Sequence, residues 1–395
     1  MFPFNLYSKC ALVFFFILLL TKVFQCSMFL YKEAFLYIET YYTYMEKKME
    51  STTYKEILGK ITTHQELTEL EISELITAIN QGTVSDVQIA GFQVALLMKG
   101  ASLKEIAYIA KAMRDNCVPL KPNAKDELMD TCGTGGGLST FNISTATALI
   151  AAAAGIPIAK HGSRSIASLS GSADVLEALG VYISLQPRQV EKMIEEIGIA
   201  FLYAPLFHPV MGKVLPPEQD LGIKTIFYSI IGPLINPAFA PRHLLGVYKP
   251  DLLDTVTFVA KELGYTNAMF VHGLDGLDEI SLLGKTRINH LKNGEVSTIE
   301  IAPEDFGLSR CALEDIKTGT PDENAASING VLSGKISGAR RDAILLNAAG
   351  ALIIGGKAGD FKAGISLAAE LIDSGKAAKK LQELKEMSNS FGQIV

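Results

Sequence analysis

The chain has no excess of positive charge: 36 Lys and Arg stand against 42 Asp and Glu, a net charge of −6. Nucleic-acid binding draws on a basic face, so this balance argues against a nucleic-acid partner. Cysteine is sparse too. Cys10, Cys26, Cys117, Cys132 and Cys311 are odd in number and scattered, without Cys-x-x-Cys or Cys/His spacing for zinc. From Ser51 onward the chain therefore reads as a reduced, cytoplasmic protein. Cys132 borders a glycine loop, where a small buried filler and a reactive thiol are both open readings. Internal repeats and low-complexity tracts are absent. A hydrophobic content of 48% with 20% charged residues is ordinary for a globular chain, and 395 residues leave room for two or three domains.

The first 49 residues differ from the rest. Ala11 to Leu20 is an unbroken apolar run, and no acidic residue precedes Glu33. The run is shorter than the about 20 residues of a membrane span and has the length of a signal-peptide core. Two readings stand: a targeting extension, or an upstream start codon with the protein proper beginning at Met45 or Met49. The second is preferred because everything downstream looks cytoplasmic; a membrane partner follows only if the extension is real.

Residues 51–121 carry three capping boxes, Thr68…Glu71, Ser85…Gln88 and Ser102…Glu105, each before an apolar pattern at helical spacing. They predict a small all-helical domain, whose apolar faces either pack on each other or form a subunit interface. Pro119 and Pro122 break the chain into a linker. Over 127–395 the pattern becomes short apolar strands alternating with helices, the mark of an α/β domain with a mainly parallel sheet. Strands are expected at 128–132, 156–160 and 268–272, helices at 142–154, 173–179 and 187–197, and a Pro-punctuated loop at 201–209. Asn293-Gly294 between apolar runs signals a hairpin. From Asp322 the pattern is mostly helical.

Two glycine- and hydroxyl-rich stretches follow strands: DTCGTGGGLSTFNIST over 130–145 and KHGSRSIASLSGSAD over 160–174. Glycines let backbone N–H groups approach an anion, and a helix N-terminus completes the cradle. Two cradles in tandem suit a ligand with more than one phosphate. The first is not a P-loop, because no Gly-Lys-Ser/Thr follows, nor Gly-x-Gly-x-x-Gly, because Leu138 takes the last place. Asn142, Ser144 and Thr145 put polar atoms at a helix mouth, although Asn142 equally suits an ordinary N-cap. Lys160, His161 and Arg164 bring donors to the same place, Arg164 as a phosphate fork and Lys160 as a point charge. Asp278 and Glu279 follow a buried strand, where adjacent carboxylates read either as a magnesium site or as a solvated acidic turn.

At these residues the chain resembles the anthranilate phosphoribosyltransferase family, in Gly133–Gly136 with Thr140–Thr145, in Lys160 to Glu177, in Ala204-Pro and His208-Pro, in Gly232-Pro-Leu with Asn236-Pro, and in 275–280. The resemblance spans roughly Ser51 to the C-terminus. It implies a helical domain joined to a larger α/β domain, usually in a homodimer. It implies transfer of the phosphoribosyl group from phosphoribosyl diphosphate (PRPP) to the amine of anthranilate, a small aromatic amine, with release of diphosphate, in tryptophan biosynthesis. PRPP would bind at Gly133, Gly136, Gly137, Thr140, Asn142, Ile143, Ser144 and Thr145. The second loop would add Lys160, His161, Gly162, Ser163, Arg164, Ser165 and Ser168, with Ser172 nearby. Ser144, Asp278 and Glu279 would hold Mg²⁺. No acid or base is assigned, because an aromatic amine is already neutral at pH 7.

The departures fall on the acceptor side, for which Gly133, Ser163 and Glu218 are the candidate residues. An acidic residue expected after the first glycines is missing. Ser163 stands for Asn, Glu218 for the Arg that meets the acceptor carboxylate, and Tyr228 for Asn. An acid facing a carboxylate in place of a base changes their interaction by roughly 2 to 8 kcal/mol at about 4 Å. Phosphoribosyl transfer to a different acceptor is thus the alternative reading, ahead of a nucleoside phosphorylase or a nucleic-acid-binding relative without activity. Lys213, Lys224 and Arg242 are the basic residues that could replace the Arg.

Overall fold

The three capping boxes form as the spacing predicts. In each, the Ser or Thr side chain accepts from the backbone N–H three residues on, and the Glu or Gln side chain accepts from the cap. They open helices α1 (Glu69–Gln81), α2 (Asp86–Lys99) and α3 (Leu103–Asp115). The computed structural model describes residues 54–124, 126–165 and 169–392; the N-terminal extension lies outside them. Helices α1 and α3 pack face to face. Ile72, Leu75, Ile76 and Ile79 are buried on α1, at the 3.6-residue spacing of one helix face. Glu105 serves twice, capping α3 and pairing with Lys99 at 2.6 Å, both side chains buried.

A seven-stranded sheet follows, ordered β3-β2-β1-β4-β5-β6-β7. Its strands are β1 (Met129–Gly133), β2 (Ile158–Gly162), β3 (Ile199–Tyr203), β4 (Arg242–Gly246), β5 (Asn267–Gly273), β6 (Thr286–Lys292) and β7 (Glu295–Ile301). The first five run parallel and the last two antiparallel. Asn293 and Gly294 take φ of 52° and 82°, as the hairpin between β6 and β7 requires. From β1 the chain builds outward to β3, then returns to place β4 on the other flank of β1. The strand order therefore reverses between β1 and β4, the position where open α/β sheets bind ligands.

Helix α4 (Ile143–Ala153) is buried nearly all round, so it forms the middle of the core rather than a surface layer. It packs against β1 and against two late helices, Ala339–Ile354 and Lys376–Gly392. Helices α5 (Ser172–Ala178), α6 (Pro187–Ile197), α7 (Met211–Leu221) and α8 (Asp251–Glu262) complete the elements that matter below. The helical part is seated on the α/β part through α2 on α7 and α3 on α8.

Strand and helix boundaries shift by one or two residues from those expected. The segment 201–209 is not all loop: β3 runs to Tyr203 and a short helix, Ala204–Phe207, follows with Pro205 in its first turn. There the proline lacks only an N–H that a first turn leaves unpaired anyway. Strand β4 and helix α8 had no sequence expectation. Among the described residues no helix is long and apolar enough to cross a membrane.

Candidate active site

Strands β1, β2, β4 and β5 all end on glycine, at Gly133, Gly162, Gly246 and Gly273. The reason lies in what presses on them. A Cβ on Gly246 would collide with the backbone of Asp278, and one on Gly133 would lie 2.5 Å from its carboxylate. The turn carrying the acids is thus clamped onto the strand ends. Gly135 N–H donates to Asp278 Oδ2 at 2.9 Å, and Leu138 N–H reaches Gly276 O at 3.4 Å. Asp275 is separate from this arrangement. Its carboxylate accepts from Ser281 Oγ and Leu277 N–H and shapes the turn.

Above these ends lies a cavity of about 570 Å³. Its polar floor is formed by the first glycine loop, including Gly133, Gly136, Gly137 and Thr140, together with Ser144, Asp278 and Glu279. His161, Gly162, Ser163, Arg164, Ser165 and Ser172 come in from the second loop. The opposite wall, from Ala204, Pro205, Pro209, Met211, Leu215 and Ile235, is largely apolar.

Asn142 also lines the cavity, but it is not an ordinary N-cap. It adopts φ 62° and makes no side-chain cap bond. Its amide ties two loops instead: it donates to Ser170 O at 3.1 Å and accepts from Ser170 Oγ at 3.2 Å and Asn324 Nδ2 at 2.9 Å. The α4 N-terminus is thereby left without a side-chain cap where it meets the cavity.

Burial raises the pKa of both acids, that of Glu279 well above its ordinary value, with the charge of Asp278 adding to the effect. Two adjacent carboxyls that resist joint ionisation, beside a hydroxyl and open to a cavity, form a hard-oxygen set that a divalent cation would relieve. Ser144, Asp278 and Glu279 fit Mg²⁺ on that ground. A second acid cluster, Asp130 with Cys132 and His243, does not. Asp130 already accepts from Thr131 N–H, His161 N–H and Asn236 Nδ2, and burial drives the Cys132 thiol far up.

Three expected donor residues sit elsewhere, each for a local reason. Lys160 is not at the mouth: it is buried beneath, its Nζ donating to Thr131 O at 2.7 Å and Ser144 Oγ at 3.4 Å, because β2 lies inside the sheet. Ile143 and Thr145 are turned into the core by their places on α4. Ser168 lies outside the described residues. Arg164 does line the cavity, yet its guanidinium is held by Glu177 at 2.5 and 3.0 Å and by Asp174 at 3.0 Å. Those acids stand three apart on α5, on one face, so they take the fork that a phosphate was expected to take.

The acceptor side differs more. Glu218, expected there, does not line the cavity: it is 3% exposed. Val214, Pro217 and Glu218 share the buried face of α7, and α2 covers it. The Glu218 carboxylate accepts from Thr225 Oγ1 and from Gln93 Nε2, and burial raises its pKa. His161 and His208 lie with ring centroids 4.9 Å apart, and burial keeps both neutral, lowering His208 to about 4. Sequence reasoning missed Tyr248, whose ring lies 3.6 Å from the Cβ position of Gly136 and whose N–H donates to Thr134 Oγ1. The short apolar run 244–247 ending at Tyr248 was the available signal.

A switch-point cavity with a glycine cradle and paired acids, on this two-part fold, defines a glycosyl transferase. The model of the glycosyl transferase family, helical bundle domain, matches residues 55–117, and that of its a/b domain matches 125–378. Within that class the chain belongs to the anthranilate phosphoribosyltransferase family. It is 46% identical over 338 residues to the enzyme of that name from Acetivibrio thermocellus, covering 85% of this chain and 97% of that one. The Thermus thermophilus structure superposes with a TM-score of 0.78 at 39% identity, over 84% of this chain and 99% of that one. The Saccharomyces cerevisiae enzyme in complex with PRPP and Mg gives 0.79 at 29%, over 86% and 98%. The same yeast protein has been solved with 4-fluoroanthranilate, at a TM-score of 0.77, 28% identity and coverage of 86% and 99%.

Proposed function

We propose that this chain transfers the phosphoribosyl group of PRPP to the amine of anthranilate and releases diphosphate. The observation that carries this reading is the polarity of one cavity. Its floor offers glycine N–H groups, hydroxyls and the Asp278–Glu279 pair, while its far wall is apolar with two neutral imidazoles. Ser144, Asp278 and Glu279 would hold Mg²⁺, which when bound offsets the charge of the diphosphate. The glycine loop and the α4 N-terminus direct N–H groups at that charge, stabilising it as the bond to ribose lengthens. The apolar wall holds an aromatic ring with its amine facing the ribose carbon, and ordering the two reactants supplies much of the remaining acceleration. As the carbon–nitrogen bond forms, the carbon–oxygen bond to diphosphate breaks and the nitrogen loses a proton to water. No side chain is required as base. Purified protein given PRPP, Mg²⁺ and anthranilate should quench anthranilate fluorescence; PRPP binding without turnover would overturn the acceptor and keep the donor.

A homodimer built on the helical part belongs to the same proposal. Leu70, Val87, Leu97 and Met98 stand 67, 82, 48 and 78% exposed there, an apolar set that a second copy would cover.

A further inference from the structure

A cation for the acceptor carboxylate has to come from somewhere other than residue 218. The basic groups nearby are few, and most are committed. Arg164 is held by Glu177 and Asp174. Lys160 is buried under the floor. Lys213 donates to Asn80 O at 2.6 Å, and Arg242 is paired with Asp126 and Glu127. Lys224 differs from all of these. It lines the cavity, and among the described residues no carboxylate lies within ion-pair distance of it. Its Nζ stands 5.2 Å from the centre of the Tyr228 ring, which lines the same cavity.

The local fold explains this arrangement. Gly222, in the left-handed conformation at φ 66°, ends α7 and turns the chain, so Lys224 follows outside the helix. The next residues enter a π-helical turn, Phe227–Ile231, which carries Tyr228; such turns often mark functional positions. Thr225 binds the Glu218 carboxylate inward, so that acid is held away from the cavity that Lys224 lines. We propose that Lys224, steadied by the ring of Tyr228, recognises the carboxylate of the acceptor and so sets the choice of acid over neutral amines. The inference rests on the acceptor reading above. The ring face attracts the ammonium and restricts it, while the charge is left free for an incoming anion.

The test uses the full chain and its K224M and K224R variants, with anthranilate as substrate and its uncharged carboxamide, 2-aminobenzamide, as competitor. With Lys224 replaced by Met, KM for anthranilate should rise about tenfold, the scale of losing one charge-assisted contact. KM for PRPP should stay unchanged, which also shows that the variant is folded. Inhibition by the carboxamide should be unaffected, so the preference for the acid collapses, and K224R should restore most of it. Added salt should weaken anthranilate binding in the wild type and much less in K224M. A wild type that consumes anthranilate, beside a K224M variant with the same KM and the same preference, would overturn this inference alone. A wild type that binds PRPP and ignores anthranilate would overturn the acceptor reading, and this inference with it.

Discussion

His208 shows how a residue's surroundings decide its chemistry. A lone histidine before a proline at 208–209 has no chemistry readable from sequence; in the fold it is buried beside His161 with both ring nitrogens unpartnered among the described residues. Burial lowers its pKa from 6.5 to about 4. Between those values the unfolded chain binds a proton that the folded chain refuses. Its contribution to stability is therefore complete above about pH 6.5 and is lost as the pH falls toward 4. His161 is shifted in the same direction by the same cause. Unfolding followed by denaturant should show stability falling by about 3 kcal/mol over that window on account of His208. Replacement of His208 by Gln should flatten the slope; a wild-type curve already flat from pH 7 to 4.5 would contradict the buried neutral state.

Elements place side chains that no single residue controls. Glu218 in the bare sequence looks like a repulsive charge in the site, but the spacing of α7 puts it on the face with Val214 and Pro217, and α2 closes over it. Conversely, Gly133 and Gly246 at the strand ends make room for the Asp278 turn above them. Gly246→Ala should displace the 278–279 turn, because its Cβ would occupy the place of the Asp278 carbonyl. The expected cost is about 1 to 3 kcal/mol of stability, with an additional loss of affinity for Mg²⁺. Calorimetry with and without the metal checks both; an alanine variant with unchanged Tm and metal response would show that the clamp is not needed.

For the whole molecule, the reversal of strand order between β1 and β4 sets the position of everything else. It opens the crevice, and the helical part joins through α2 on α7, beside the acceptor end. The proposed dimer can be tested at this scale. Val87→Glu with Met98→Glu should yield a monomer in sedimentation while the fold survives, since both side chains are already exposed in the single chain. Wild-type protein that sediments as a monomer at micromolar concentration would remove the dimer.

Local rules were legible from the sequence: capping boxes, the Asn293-Gly294 hairpin, the strand–loop–helix units and the two glycine cradles depend on residues close in the chain. They were enough to indicate fold class, donor chemistry and the acidic pair. What remained hidden was how distant segments occupy one another's charged groups. Whether Arg164 faces a phosphate or Glu177, whether Lys160 is a surface charge or a buried strut, and whether Glu218 or Lys224 meets the acceptor are decided by packing. A charge takes its role from its nearest partner and its exposure, and the tertiary fold alone supplies both. The sequence by itself determined which elements form and which chemistry they can offer; the tertiary structure decided which of those groups remain free to use it.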